Sequence, residues 1–97
     1  MRREYRINIV VNDRQVKKVV IDPHYELKHS DVISDRLILK LVRLLNKGTF
    51  PATDHDGDYT YFVTDRLKLD EKLYKLVWLL EKDQLYIGVI NAYRRKK

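Results

Sequence analysis

The chain has 97 residues, 44% of them apolar and 35% charged with both signs mixed, enough for one hydrophobic core and too few for a second domain. It contains no cysteine, which excludes a disulfide framework, a thiolate metal site and a cysteine nucleophile. Twenty Lys and Arg against fourteen Asp and Glu give a formal charge of +6, a balance that favours polyanions such as RNA, DNA or anionic lipid.

Six of the basic residues lie at the ends, in Arg2-Arg3 and Arg94-Arg95-Lys96-Lys97, where they read either as solvated tails or as ligand contacts. Met1-Arg2-Arg3-Glu4 runs into a polar and apolar alternation with no long apolar run, so neither a secretory leader nor a membrane span is expected and a cytoplasmic setting is. The expectation is one domain over 1–97, ordered from about Tyr5 to Tyr93, with a basic tail at 94–97.

Tyr5 to Val11 and Gln15 to Ile21 alternate polar and apolar residues, and Asn12-Asp13-Arg14 between them carries turn chemistry; the two runs read as a β-hairpin. Asp22-Pro23 breaks that pattern, because proline cannot donate to a ladder and forces its predecessor into an extended conformation. Ser30 or Asp31 can then cap a helix whose apolar stripe is Ile33, Leu37, Ile38, Leu41, Val42, Leu44 and Leu45, a pattern of helical period. Gly48 suits a left-handed cap and Pro51 forbids continuation, which ends the helix near Asn46.

Phe50 to Asp58 reads as a loop and Tyr59 to Thr64 as an aromatic and β-branched strand, with Asp65 to Asp70 as a longer connection. Lys72 to Leu80 and Leu85 to Tyr93 are apolar on both faces and joined by Glu81-Lys82-Asp83-Gln84, a hairpin placed in the middle of the sheet. The predicted fold class is α+β: an antiparallel sheet with one main amphipathic helix packed on one face, in the order β-β-α-β-β-β.

The densest cluster of reactive groups is His24-Tyr25-Glu26-Leu27-Lys28-His29-Ser30, just ahead of the predicted helix start. Helix starts attract phosphate through free N–H groups and the dipole. Histidine can act as general base or acid near neutrality, and lysine can stabilise charge on a phosphorane-like transition state. The same residues also read as caps and satisfied structural groups.

In the last strand Asn91 and Tyr93 share one face by alternation, and Ala92 and Arg94 the other. Arg94 could clamp a phosphate and Tyr93 could stack on a base, or the strand could simply leave the core. Among the sheet tyrosines, Tyr59, Tyr61 and Tyr74 read as half-buried core or as base-stacking platforms.

Metal chemistry finds little here. His24 and His29 are five apart with no third ligand at a familiar spacing, and Asp54-His55-Asp56-Gly57-Asp58 departs from a calcium loop in its glycine and in the residue at position twelve; it reads as an acidic turn. With only three glycines, no phosphate loop, nucleophile elbow or dinucleotide fingerprint occurs. No cofactor and no metal are expected.

The segment Pro23 to Ser30, the helix ending at Gly48, the strand Tyr59 to Val63 and the closing Ile87-Gly88-Val89-Ile90-Asn91-Ala92-Tyr93-Arg94-Arg95 together resemble the toxin-type ribonucleases of the barnase, colicin-nuclease and RelE-like superfamily, which includes BrnT-like domains with a Lys-His-Ser segment opening the helix. The likeness covers about Asp22 to Arg95. The hairpin Tyr5 to Ile21 departs from it, since RelE-like toxins usually carry a helix there.

The resemblance implies a metal-independent endoribonuclease that cleaves RNA by 2′-hydroxyl attack and is paired with an antitoxin protein. His24 and His29 would be its acid and base, Lys28 and Arg94 its phosphate stabilisers, and Tyr61, Tyr93 and Arg95 its RNA contacts. Two other functions stay open on the residues alone: a non-catalytic module binding RNA or DNA, and a protein-interaction domain.

Overall fold

The computed structural model describes residues 2–21 and 33–95. Its elements are β1 (Arg3–Val11), β2 (Arg14–Ile21), α1 (Asp35–Arg43), β3 (Asp54–Asp56), β4 (Tyr59–Leu69), β5 (Lys72–Glu81) and β6 (Tyr86–Arg95). The strands form a single six-stranded sheet in the order β1-β2-β6-β5-β4-β3.

This corrects the antiparallel α+β expectation in three ways. Strand accounts for 61% of the described residues and the described helix is short; β3 is an added strand; and β2 runs parallel to β6, from Lys18 beside Tyr86 to Ile21 beside Val89, so the sheet is mixed. The parallel pair arises because the chain after β2 continues through α1 and runs through β3, β4 and β5 before β6 takes its place beside β2. The β5–β6 hairpin does occupy the middle of the sheet.

The hairpins follow from their turn residues. Asn12 and Asp13 (φ 53° and 60°) and Asp70 and Glu71 (φ 51° and 68°) are paired left-handed residues, the turn geometry that matches strand twist. The stretch expected to be a connection at 65–70 is instead the end of β4, which passes through a bulge between Thr64 and Leu67 with Arg66 left-handed at φ 58°. The stretch expected to be a loop at 50–58 contains β3, folded back on β4 at a turn opened by Gly57 at φ 60°.

The helix starts later than expected. Ser34 is the N-cap, its hydroxyl accepting from the Leu37 N–H at 3.2 Å, whereas Ser30 and Asp31 lie outside the described residues. It ends at Arg43 rather than Asn46, and Lys47 is the left-handed residue, at φ 67°, one position before the glycine expected to play that part. Gly48 is needed for space: a Cβ there would stand 2.6 Å from the Phe50 ring.

Ile38, Leu41 and Val42 of α1, with Ile33 and Leu45 beside it, bury against one face of the sheet. Trp78 is fully buried at the centre of that face, stacked on Phe62 at 4.1 Å and meeting Phe50 edge-on at 5.7 Å. Its indole N–H donates to Thr64 Oγ1 at 2.9 Å, so the ring is buried with its one polar group satisfied.

Asp35 ties the helix start to β1, accepting from Arg3 Nη2 at 2.9 Å and from the Tyr5 hydroxyl. The other end is tied through Asn46 Oδ1, which accepts from the Val10 N–H, and the Lys47 N–H, which donates to the Val10 carbonyl. These bonds occupy backbone groups of an edge strand that would otherwise be open to pairing. Among the described residues no helix is long and apolar enough to cross a membrane.

Candidate nucleic-acid interface

Because α1 covers one face, alternate residues of the central strands stand on the other. The strand register sets them in rows. One row runs Arg6, Lys18, Tyr86, Glu81, Tyr59, Asp56, and the next Glu4, Val20, Gly88, Leu79, Tyr61, Asp54. The first row begins in two bases on β1 and β2 and crosses Tyr86, Glu81 and Tyr59; the second begins in Glu4 and Val20 and crosses Gly88, Leu79 and Tyr61; each ends in an aspartate on β3.

In the second row Gly88 puts no side chain between Val20 and Leu79. The result is a depression of about 150 Å³ lined by Arg2, Val20, Tyr59, Tyr61, Leu79, Tyr86, Gly88, Val89 and Ile90. Leu79 leans over the glycine closely enough that a Cβ on Gly88 would meet Leu79 Cδ1 at 2.9 Å. A glycine inside a strand often marks such a close approach. Tyr59 and Tyr61 stand next to one another, with ring centroids 6.5 Å apart and planes tilted by 39°.

The Tyr86 hydroxyl donates to Glu81 Oε1 at 2.6 Å. Burial, then the hydrogen bond to Glu81 and its negative charge, raise the Tyr86 phenol from 10.0 to about 12, with Arg2 pulling weakly the other way. The phenol is therefore protonated and committed as a donor to the carboxylate throughout the neutral range.

Further along this face β6 carries a bulge opposite Val77 and Trp78. Asn91, buried at 7% exposure, donates through Nδ2 to the Tyr93 hydroxyl oxygen at 2.8 Å and accepts from the Ala92 N–H at 2.9 Å. Lys75 is the register partner of Tyr93, and Leu73 of Arg95. Arg95 pairs with Asp65 at 3.3 Å, and Lys18 with Glu4 at 3.1 Å.

Of the residues singled out in the sequence, Tyr61, Tyr93 and Arg95 fall on this face, which no helix of the described residues covers. Arg94 pairs in register with Tyr74, a core residue, so it lies on the opposite face from Tyr93 and Arg95, exposed at the strand end. His24, Lys28 and His29 lie outside the described residues.

The histidine that is described, His55, is exposed on β3 with its Nδ1 3.3 Å from Thr60 Oγ1. No group of three or more His, Asp or Glu that could hold a metal occurs among the described residues. Sequence reasoning passed over Tyr86, Glu81 and Gly88, and took Arg2 only as one of the terminal bases. The available signal was Gly88 inside a strand two residues after a tyrosine, which marks a gap on the face that tyrosine occupies.

No family model, curated protein or solved structure matches the chain. The likeness to toxin ribonucleases therefore rests on the residues quoted for it.

Proposed function

We propose that the chain binds single-stranded RNA across the sheet face opposite α1. The observation that carries this reading is the cluster of tyrosines, Tyr86, Tyr59 and Tyr61, around one depression, flanked on the β1–β2 side by Arg2, Arg6 and Lys18. Aromatic rings on an open sheet offer stacking platforms for unpaired bases, and a basic border attracts the phosphate backbone. The charge gradient along the first row, from Arg6 and Lys18 to Asp56, gives a polarity: phosphates lie toward β1 and β2, and bases reach toward β4, since Asp54 and Asp56 repel the backbone at the far edge. The cysteine-free composition suits a cytoplasmic setting, where such RNA is found.

The test is fluorescence anisotropy of a labelled oligouridine titrated with the protein in EDTA at several salt concentrations. Three to five phosphate contacts give a slope of log affinity against log salt of about −2 to −3.5. No binding at low salt refutes the reading, and capture of protein without salt dependence moves it to a protein-interaction domain. The same samples, resolved by gel, read cleavage. Products ending in 2′,3′-cyclic phosphate that vanish in a His24→Ala, His29→Ala double variant would add a ribonuclease step to the binding surface.

A further inference from the structure

Resting on the RNA-binding reading, we infer that the same face holds a second station for the RNA strand, at Tyr93, Lys75 and Arg95, so that the strand runs lengthwise along β5 and β6. The strand register puts Tyr93 beside Lys75, and Arg95 beside Leu73 with Lys68 next in that row on β4. Leu79, which lines the depression, and Lys75 are both on β5. Being four positions apart, they share a face about 14 Å apart, at about 3.4 Å per residue. Between them the row Asn91, Val77, Val63 carries no charge, so nothing on that path repels a phosphate.

The Tyr93 ring is fixed from beneath. The bulge in β6 re-aims the side chains that follow it, and the buried Asn91 amide donates through Nδ2 to the Tyr93 hydroxyl oxygen at 2.8 Å. Oδ1 of the same amide accepts from the Ala92 N–H at 2.9 Å, which holds the amide in turn. A ring ordered before a base arrives costs less to stack on. Lys75 and Arg95 beside it supply the cations that a sequence-tolerant single-strand site combines with aromatic platforms. Arg95 faces Asp65 at 3.3 Å, but the two side chains are 39% and 40% exposed, and a pair that open is weak enough for phosphate to compete.

The spacing sets a minimum length. A strand stacked at about 3.4 Å per nucleotide covers that distance in about four steps, so a dinucleotide reaches one station and an octanucleotide both, the second contact being made within one complex. The experiment measures the affinity of oligouridines of two, four, six and eight nucleotides. Affinity rises about 5- to 150-fold from the dinucleotide to the octanucleotide, the range of one further stacked base. Tyr93→Leu removes the ring and brings the octanucleotide down toward the dinucleotide, whose own affinity stays as it was; Tyr93→Phe keeps the ring and keeps the gain. Lys75→Gln, whose side chain makes no core contact, lowers the salt slope of the octanucleotide by about 0.7 and leaves that of the dinucleotide unchanged. Affinity independent of length, or a length gain that survives both Tyr93→Leu and Lys75→Gln, overturns the second station. If the octanucleotide is weakened by Tyr61→Ala and by neither of those two, the RNA surface stands and the second station falls; if no oligomer binds, both fall.

Discussion

Trp78 and Leu79 are neighbours in β5 and stand on opposite faces of one sheet, and their surroundings differ in kind. On the Trp78 side the strands contribute Ile, Val, Leu and Phe at near-zero exposure, closed by the helix. On the Leu79 side they contribute tyrosines, a glycine and an ion-paired lysine, with Val63 and Tyr59 exposed at 41% and 37%. The first face is specified by volume, since a close-packed interior feels the loss of single methylene groups. The second is specified by hydrogen-bonding groups and by the place where a side chain is missing.

The largest expected effect breaks this comparison directly. Trp78→Ala removes a fully buried ring with two aromatic partners and costs about 3–5 kcal/mol, which at about 4–8 °C per kcal/mol lowers the melting midpoint by roughly 15 °C or more. Leu79→Ala, one residue on, costs about 1 kcal/mol, because its side chain is half-exposed and little cavity is left. Calorimetry of the two variants decides the matter: equal losses would mean that the Leu79 face is covered in solution and is no RNA surface.

Next in size is Tyr61→Ala. It weakens oligouridine binding about 5- to 150-fold, the range for loss of one stacked base at about 1–3 kcal/mol, while thermal stability changes by about 1 kcal/mol or less. Anisotropy and melting on the same preparation separate these effects. A large melting shift with unchanged affinity would transfer Tyr61 from the surface to the core.

Much of the covered face was legible in the sequence, because a helical stripe from Ile33 to Leu45 and alternation in β1 both report burial on one side. Its partners were not. Alternation says which face a residue takes and nothing about which strand lies beside it, so the parallel β2–β6 pair was missed. Val19-Val20-Ile21, apolar on both faces, did carry a sign that β2 is an inner strand.

β3 was hidden in a stretch with no apolar residue between Thr53 and Asp58; its edge strand is exposed on both faces and leaves no hydrophobic pattern to read. Tyr61, Tyr93 and Arg95 were singled out because aromatics and cations declare themselves. Gly88 was not, because the feature it makes is an absence bounded by residues from β2, β4 and β5.

Alkaline titration sharpens the contrast at Tyr86. Its phenol is raised to about 12 in the folded chain against 10.0 when unperturbed, so folding favours the protonated form. That contribution is whole below pH 10 and is lost as pH rises from 10 toward 12. Tyr86→Phe has no such proton to lose and falls less steeply in stability over that window. In Glu81→Gln the tyrosinate absorbance of Tyr86 should appear at lower pH than in wild type yet above the unperturbed value, since burial is the larger cause and remains. An unshifted titration would remove Glu81 as the partner of the Tyr86 hydroxyl.

The smallest effect concerns the Lys18–Glu4 pair, whose side chains are 46% and 54% exposed. An ion pair in that setting contributes about 0.2–1 kcal/mol, so Glu4→Gln leaves the melting midpoint almost unmoved. Its consequence for binding has the opposite sign. Glu4 competes with phosphate for the Lys18 ammonium on the border where the RNA backbone is placed, and removing the carboxylate frees a cation for that contact. Affinity for oligouridine therefore rises at low salt, and the salt slope steepens by about 0.7, the value of one added phosphate contact on a single strand. An affinity that stays flat or drops would place the backbone away from β2 and reverse the polarity assigned to the face.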